Sequence, residues 1–460
     1  MAKRKRNNAQ TNAVKKPATN GIPSPPQETN PLEPANVHSV ISSEEIEVTV
    51  ETLQTLAKHP VLIKSKACKD LRTAVYGFRQ ACTTGLNSAE GSNLTARISA
   101  ALTDSKYLDA LILLAEMRIR KDTPTLGALC RWVRTLDVVS GLSIHVQVPS
   151  QTVVGHNAEN EKLIQVLDAI LRVTGPTDTT SNGTAVDSKP ISLQEIWNLR
   201  GSSEPTRQVR RSIEDKSIFA TCSPDLKDNF RVIETTAGLQ RKPPNLHPAV
   251  LYASQDDAVL LGEGPKTECF KHPIVPNLRL IRDVLSPEEC TAIIAAGETI
   301  EFIPDAPMRP QGEDTSVLAH NFYWVIDQAF HDKLWSRVKA FVPEVVAGKQ
   351  MALGHPQASI LSQNAYQYDS SPTDARQSSL FTFLIYLNDD FKGGETTFFI
   401  PSVKEGVINA YPVKPIMGSV AVFPHGEAQG ALLHEGTGVV EGAKCQAGGL
   451  WHCLVSDIAA

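Results

Sequence analysis

The chain contains 460 residues, of which 41% are hydrophobic and 21% are charged, and its formal net charge is -5. This composition is typical of a globular protein with about two or three domains, and the slight acidity gives no electrostatic argument for nucleic-acid binding. Because neither a membrane-length apolar run nor an N-terminal apolar segment occurs, no transmembrane helix and no signal peptide are expected. The eight cysteines include no Cys-x-x-Cys pair, which favours reduced thiols in an intracellular compartment.

Residues 1–44 predict a disordered basic tail. The segment is rich in Asn, Pro, Lys and Thr and has no acidic residue before Glu28, a composition that cannot bury a core. Its cluster Lys3–Arg6 has the character of a nuclear localisation signal or a nucleic-acid contact, with a solvated tail as the alternative. We therefore expect an intracellular protein of the cytoplasm or the nucleus, for which nucleic acid is not an expected partner.

Residues 45–173 predict an α-helical domain. Apolar residues recur there at every third or fourth position, as in the run Leu108, Leu111, Ile112, Ala115 and Ile119. The region holds no catalytic constellation, so an interaction module and a structural appendage both stay open. Residues 174–270 follow as a polar linker and a mixed segment.

Residues 271–460 predict a β-rich domain with flanking helices. A helix is expected from Ser286 to about Gly297, because Ser is a good N-cap, Pro287 takes the first helical position and Glu289 closes a capping box. The residues of this helix that are predicted to face the core are Cys290, Ile293 and Ile294.

Short apolar runs separated by Gly, Pro, Asn and Asp turns fill the C-terminal part of this region. The runs are Phe381–Asp390, Glu395–Ile400, Val413–Phe423, Leu432–Gly436 and Val439–Lys444. Short strands with such turns predict a closed or double-sheet architecture, a barrel or a jelly roll. The expected fold class is therefore α+β.

Four motifs follow one another in the same region. They are Tyr386–Asp389, Gly393–Thr396, Gly418–Phe423, and His434 followed by Gly442-x-Lys444. Their order and spacing resemble the iron(II)- and 2-oxoglutarate-dependent dioxygenases, in the prolyl 4-hydroxylase-like branch and of the fungal type. The resemblance covers residues 275–444 and implies a double-stranded β-helix, a jelly-roll type, behind the N-terminal α-helical domain.

The resemblance implies roles for two residues. His434 matches the distal histidine of an iron facial triad, which leaves three positions open for 2-oxoglutarate and oxygen. Lys444 matches the basic residue that binds the far carboxylate of 2-oxoglutarate. Without the surrounding motifs, His434 would be interpreted as an ordinary core or surface histidine and Lys444 as a solvated charge. The implied cofactors are Fe(II) and the co-substrate 2-oxoglutarate, with L-ascorbate as an optional addition and O2 as the second co-substrate.

The proximal iron ligands that the resemblance requires are missing from the sequence. A His-x-Asp or His-x-Glu is expected between residues 347 and 379, but this segment holds one histidine, His355, and position 357 is Gln. A neutral amide lacks the charge that balances Fe(II), so His355 is a candidate metal ligand without its acidic partner. The sequence His425-Gly426-Glu427 has suitable residue types but lies only nine residues before His434, and is interpreted as a turn.

The segment after Lys444 also departs from the family. A closing strand, often with another basic residue, is expected there, but residues 445–455 contain no Lys or Arg, and the closing strand is interpreted as missing. Cys445, His452 and Cys453 match no established metal-binding spacing. A faulty splice junction or a true loss of catalytic residues would explain both departures.

Two functions of different classes follow. The first is a 2-oxoglutarate- and Fe(II)-dependent dioxygenase, an oxidoreductase that hydroxylates a prolyl or other side chain of a protein or small-molecule substrate. The second is a catalytically inactive oxygenase fold that serves as a binding or interaction module, as the absent His-x-Asp indicates. No substrate is recognisable in the sequence, and a membrane is not an expected partner.

Overall fold

The computed structural model describes most of the chain between residues 41 and 454. The described residues are 41–84, 94–136, 158–180, 190–201, 206–240, 248–304, 320–342, 345–346, 349–351, 357–361, 377–424, 428 and 430–454. The predicted basic tail thus lies outside the described residues except for its last four positions, where Ser43 and Glu44 already belong to a helix.

Ten α-helices occur in these ranges. They are α1 Ser43–Ala57, α2 Pro60–Ile63, α3 Lys69–Thr84, α4 Leu94–Thr103, α5 Tyr107–Arg120, α6 Leu126–Leu136, α7 Ala158–Thr174, α8 Val209–Glu214, α9 Pro287–Ile300 and α10 Gln328–Val338. Seven of the ten begin before residue 174, where the sequence predicts helices.

The described strands form two larger sheets and one strand pair. The strands are β1 Ile191–Leu193, β2 Phe230–Thr236, β3 Ala249–Ser254, β4 Glu268–Lys271, β5 Arg279–Arg282, β6 Ile303–Pro304, β7 His320–Val325, β8 Val345–Val346, β9 Lys349–Met351, β10 Gln357–Leu361, β11 Gln377–Tyr386, β12 Lys392–Gly393, β13 Thr396–Pro401, β14 Ile408–Val413, β15 Val420–Pro424, β16 His434–Gly436, β17 Val439–Glu441 and β18 Gln446–Leu454. The small sheet has the order β1-β14-β13-β16. The large sheet has the main order β2-β3-β7-β10-β18-β11-β15-β5-β4, with β6, β8 and β9 attached beside it, and β12 pairs with β17.

The small and the large sheet face each other across a shared apolar core. The small sheet contributes Phe398 and Tyr411, and the large sheet contributes Tyr386, Ala421 and Phe423. All five side chains are almost completely buried. Two sheets with buried inner faces form a sandwich, the arrangement on which jelly rolls are built. The chain is therefore α+β, as the sequence predicts.

Helices cover the outer face of the small sheet. Because side chains alternate along a strand, Phe399 of β13 and Ile408 and Ala410 of β14 point away from the sandwich interior and pack with α4–α7. The helix α7 also contains a buried ion pair, in which Arg172 Nε lies 2.7 Å from Asp168 Oδ2. These helices share one apolar core with the small sheet, and their division into a separate domain stays a prediction.

Two other helices cover the large sheet. α9 begins with the predicted capping box, in which Ser286 Oγ accepts from the Glu289 backbone N–H at 3.2 Å and Glu289 Oε2 accepts from the Ser286 N–H at 2.8 Å. The predicted inward residues Cys290, Ile293 and Ile294 are buried against this sheet. The expectation for this helix is confirmed, although it extends to Ile300 rather than Gly297.

A buried ion pair joins α9 to α10. Arg337 donates to both carboxylate oxygens of Glu289 at 2.8 Å, and to the carbonyl oxygens of Val284 at 2.7 Å and Gly262 at 2.8 Å. The side chains of Arg337 and Glu289 are 6% and 8% exposed. A bidentate pair with its remaining donors satisfied offsets the cost of burying two charges.

The interpretation that the closing strand is missing is wrong. β18 pairs antiparallel with β11 on one side and with β10 on the other. Ladder hydrogen bonds use backbone groups, so the absence of Lys and Arg does not prevent this pairing. Ala447 of β18 also belongs to the core between the large sheet and its helices.

The first three helices contribute nothing to these cores. No described side chain of α1, α2 or α3 is buried, and Val61 and Phe78 are 82% and 73% exposed.

Within the described ranges, every helix is too short or too polar to cross a bilayer.

We expect Arg337→Met to lower the free energy of unfolding by about 3 to 5 kcal/mol, because the Glu289 carboxylate would stay buried without its cation. Chemical denaturation monitored by circular dichroism measures this change. Arg207→Met is the matched control, since Arg207 pairs with Glu288 of the same helix at exposed positions and should contribute at most about 1 kcal/mol. Equal effects of the two substitutions would contradict the structural role of the buried pair.

Candidate functional site

His434 lies on the inner face of the small sheet. It is opposite Phe398 in the β13–β16 register, and its ring packs 5.7 Å from the Phe398 ring and 4.8 Å from the Phe423 ring. Its Nδ1 lies 3.0 Å from the carbonyl oxygen of Leu432. Since a carbonyl oxygen can only accept, Nδ1 carries the proton in the neutral ring, and Nε2 keeps the lone pair that a metal or a proton would take.

The backbone around Lys444 is held by one amide side chain. Asn388 Nδ2 donates to the carbonyl oxygen of Ala443 at 2.8 Å, and Asn388 Oδ1 accepts from the Cys445 N–H at 2.7 Å. The two bonds fix the residues on both sides of Lys444. Gly442 has a φ of +95° and its Cα lies so close to Phe391 that a Cβ would meet the Phe391 Cβ at 2.9 Å. Glycine at this position therefore lets the chain turn inward just before Lys444.

The Lys444 ammonium is buried between the sheets. The residue is 3% exposed, and its Nζ lies 5.5 Å from the centre of the Tyr386 ring. No carboxylate of the described residues lies at ion-pair distance from Nζ. Burial lowers the pKa of Lys444 to about 7, with Glu395 acting to raise it and Lys414 to lower it. A buried, unpaired lysine is uncommon and marks a position where an anion would be bound favourably.

Tyr386, whose ring lies 5.5 Å from this ammonium, forms a buried hydroxyl pair with Thr396. Tyr386 OH and Thr396 Oγ1 are 2.8 Å apart, and both side chains are buried. Burial raises the pKa of the Tyr386 hydroxyl, so it stays protonated at neutral pH. One hydroxyl donates to the other, and the second proton is left for a further acceptor. A cation and a hydroxyl donor in a dry interior form a site suited to a carboxylate.

The two residues singled out from the sequence line the same interior. His434 packs on Phe398 and Phe423, Lys444 packs on Tyr386, and these three aromatic residues belong to one apolar core. The motif residues Asn388 and Tyr386 were recognised from the sequence as part of a pattern, but their contacts to the Lys444 region were not. No local signal in the sequence reveals such contacts, because they join residues about 55 positions apart.

The other candidate ligands either lie outside the described residues or are poor metal ligands. His355 and the sequence His425-Gly426-Glu427 lie outside the described residues, and the side chains of His452 and Cys453 are not described either. Burial raises the pKa of Cys445 to about 12, so this thiol stays protonated and is a poor metal ligand. In the part of the chain that the structure describes, no three His, Cys, Asp or Glu side chains form a metal-binding group.

Two further polar groups have structural roles. Burial lowers the pKa of His272 to about 4, and its Nδ1 accepts from the backbone N–H groups of Ile274 and Val275 at 3.1 and 2.9 Å. Asp178 accepts hydrogen bonds from Asn409 and Tyr411 of β14 and thereby ties the chain after α7 to the small sheet. The hydrogen bonds of both groups connect segments of the fold to one another, which is a structural role.

Comparisons with known proteins give weak similarities only. No family model matches the chain, and no curated protein matches it. Among solved structures, the viral collagen prolyl hydroxylase of Paramecium Bursaria Chlorella virus-1 in complex with 2OG has 20% identity and a TM-score of 0.28, and the alignment covers 38% of this chain and 96% of that chain. A Pseudomonas putida prolyl-4-hydroxylase has 16% identity and a TM-score of 0.27, with 38% and 92% covered.

A third solved structure is the Trichoplax adhaerens prolyl hydroxylase in complex with a hypoxia inducible factor oxygen degradation domain peptide fragment. It has 15% identity and a TM-score of 0.22, and the alignment covers 29% of this chain and 62% of that chain. TM-scores this low do not establish a common fold, so these similarities carry no argument about the site.

We expect Lys444→Met to stabilise the fold below about pH 7, by on the order of 3 kcal/mol. The substitution replaces an unpaired buried ammonium with an uncharged side chain of similar volume. The pKa of Lys444 is lowered in the folded state, so between about pH 7 and about pH 10.5 the unfolded chain binds more protons and the native protein gains stability as pH rises. The advantage of Lys444→Met should therefore shrink across this window.

Denaturant unfolding at several pH values measures this difference. Lys392→Met is the matched control, because Lys392 is an exposed lysine paired with Glu441 on the neighbouring strand. A Lys444→Met variant that is less stable than the parent at low pH would show that the ammonium is not unpaired in the folded protein.

Proposed function

We propose that the chain is a 2-oxoglutarate- and Fe(II)-dependent dioxygenase of the prolyl 4-hydroxylase-like, fungal type, which acts on a protein or small-molecule substrate. The observation that carries this proposal is the buried, unpaired ammonium of Lys444 inside the sandwich. The order of the four sequence motifs supports it independently.

A dicarboxylate is the ligand that this interior fits best. One carboxylate would take the position beside Lys444 Nζ and accept a hydrogen bond from the Tyr386–Thr396 hydroxyl pair. The gain is large, because the ammonium is already desolvated and Asn388 already fixes the backbone on either side of it. Aromatic walls at Phe398 and Phe423 would exclude water from the rest of the ligand.

Fewer observations support iron binding than support binding of a dicarboxylate. His434 Nε2 is suited to bind a metal, because Nδ1 already points to a carbonyl oxygen. In the part of the chain that the structure describes, no group of three His, Cys, Asp or Glu side chains could hold a metal ion, so His434 by itself is not an iron site. Bound iron would supply the oxidising chemistry; the described residues would orient the 2-oxo acid and keep the interior dry. L-ascorbate remains an optional addition that no contact in the structure addresses.

The second candidate function is a binding module without turnover. The observation in its favour is the missing His-x-Asp in the sequence, together with the absence, among the described residues, of any group of three His, Cys, Asp or Glu side chains that could hold a metal ion. Both candidates share the Lys444 anion site, so ligand binding tests what they have in common and turnover separates them.

We expect Lys444→Met to weaken 2-oxoglutarate binding by about tenfold to a hundredfold, because it removes a charge-assisted hydrogen bond in a desolvated site. Isothermal titration calorimetry under anaerobic conditions with added Fe(II) measures the affinity. Lys392→Met is the control and should bind like the parent chain. An unchanged affinity of Lys444→Met would remove the main support for both candidate functions.

Turnover is tested by Fe(II)-dependent formation of succinate and CO2 from 2-oxoglutarate. The dioxygenase proposal predicts release by the parent chain and at least a hundredfold loss in His434→Ala, because a metal ligand would be removed. Binding of 2-oxoglutarate with no succinate formed would favour the binding module. Succinate formation that survives His434→Ala would contradict the role of His434.

A further inference from the structure

The first and the third helix each carry a stripe of apolar residues that the fold leaves uncovered. On both helices three apolar residues recur at intervals of four and three positions, which places them along one face. They are Ile46, Val50 and Leu53 on α1, and Leu71, Val75 and Phe78 on α3. All six side chains are exposed or half-exposed. Helices of 15 and 16 residues are marginal in water by themselves and gain most of their stability when such a stripe is covered.

The two stripes are flanked by charges of opposite sign. α1 contains four glutamates and no Lys or Arg, whereas residues 58–79 contain six Lys or Arg and a single Asp. On α1, Glu47 and Glu51 each directly follow a stripe residue. On α3, Arg72 and Arg79 do the same. Because one residue turns the chain by about 100° around the helix axis, these charges lie on the same side of the stripe on both helices.

Antiparallel packing would bring the two charged sides together. When two helices face each other stripe to stripe and run in opposite directions, the sense in which their residues wind, seen from one end, is also opposite. The side that follows the stripe on α1 then lies beside the side that follows the stripe on α3. Glutamates would thus meet arginines along the edge of a covered apolar seam, as charged residues do beside the seam of a coiled coil.

Within one chain, α1 and α3 leave each other's stripes uncovered. Leu71, Val75 and Phe78 are 38%, 42% and 73% exposed, and Val50 of α1 is 46% exposed. Each stripe therefore has a complement of matching spacing and opposite charge on the same chain, but the two are not packed together. A chain with this property is complementary to a second copy of itself, and two identical contacts close a dimer.

We propose that α1 and α3 form a dimerisation surface, on which α1 of one chain packs antiparallel against α3 of a second copy, and α3 against α1 of that copy. The two contacts are related by a twofold axis, so the four stripes would form the core of a small helical bundle. None of the described residues of α1 and α3 belongs to the apolar cores of the sheets and their covering helices. The inference is thus independent of the Lys444 site and of the proposed function.

The apolar part of the surface is tested by sedimentation velocity of the full chain over a concentration series. We expect a monomer–dimer equilibrium in the parent chain. Phe78→Asp places a charge in the covered seam and should weaken dimerisation by at least about a hundredfold. Since Phe78 is exposed in the single chain, this variant should fold like the parent by circular dichroism. Leu260→Asp is the matched control, because Leu260 is 63% exposed outside these helices and should dimerise like the parent.

The decisive test exchanges the charges in two separate variants. One carries Glu47→Lys and Glu51→Lys, which removes the acidic excess of α1. The other carries Lys69→Glu and Arg79→Glu, which makes α3 acidic. Lys69 is used because it lies three positions before Arg72 and hence on the same side of α3. Arg72 itself is kept, because its guanidinium donates to backbone carbonyl oxygens in the turn before α3.

Each charge variant alone should dimerise about tenfold more weakly than the parent chain at low salt, because like charges would meet at both contacts. An equimolar mixture should regain the affinity of the parent as a heterodimer, since each altered helix then meets a partner of opposite charge. Labelling one variant with a fluorophore lets sedimentation distinguish the heterodimer. The same mixture with Phe78→Asp in both chains should stay monomeric, which excludes attraction by net charge alone.

Two results would overturn the inference. One is a parent chain that stays monomeric at every concentration measured; if that monomer binds vesicles of anionic lipid, the basic α3 surface belongs to a membrane instead. The other is a mixture of the two charge variants that associates no better than either variant alone, which would mean that α1 and α3 do not meet across two chains.

Discussion

An ammonium group enclosed between two apolar sheet faces is the constraint around which the candidate site is organised. A charge in such surroundings needs a partner, and the described residues provide none at ion-pair distance from Lys444 Nζ. The neighbouring contacts hold the ammonium there: Asn388 fixes the backbone on both sides, and Gly442 turns the chain inward. The fold thus retains a buried charge that lowers its stability, and binding of an anionic ligand would offset this cost. Such a trade of stability for function is common.

The rest of the architecture keeps this interior dry. α4–α7 cover the outer face of the small sheet, and α9 and α10 cover that of the large sheet. The helices on each sheet contain a buried ion pair. It is Arg172 with Asp168 on the small sheet and Arg337 with Glu289 on the large sheet. Low local polarity strengthens each electrostatic contact inside, so an anion bound beside Lys444 would be held strongly.

Local patterns in the sequence predicted those features that depend on contacts between neighbouring residues, such as the start of a helix. The capping box at Ser286 determines where α9 begins. The pairing of β18 was missed because it depends on backbone ladders with distant strands rather than on its own composition. For the proximal metal ligands, the expected segment lies mostly outside the described residues, and the prediction of an incomplete iron site stays a prediction.

A crystal structure of the chain grown with 2-oxoglutarate would test the central claim most directly. The account predicts one carboxylate of the ligand within about 3 Å of Lys444 Nζ. A ligand bound elsewhere, with neither carboxylate near Lys444 Nζ, would contradict it.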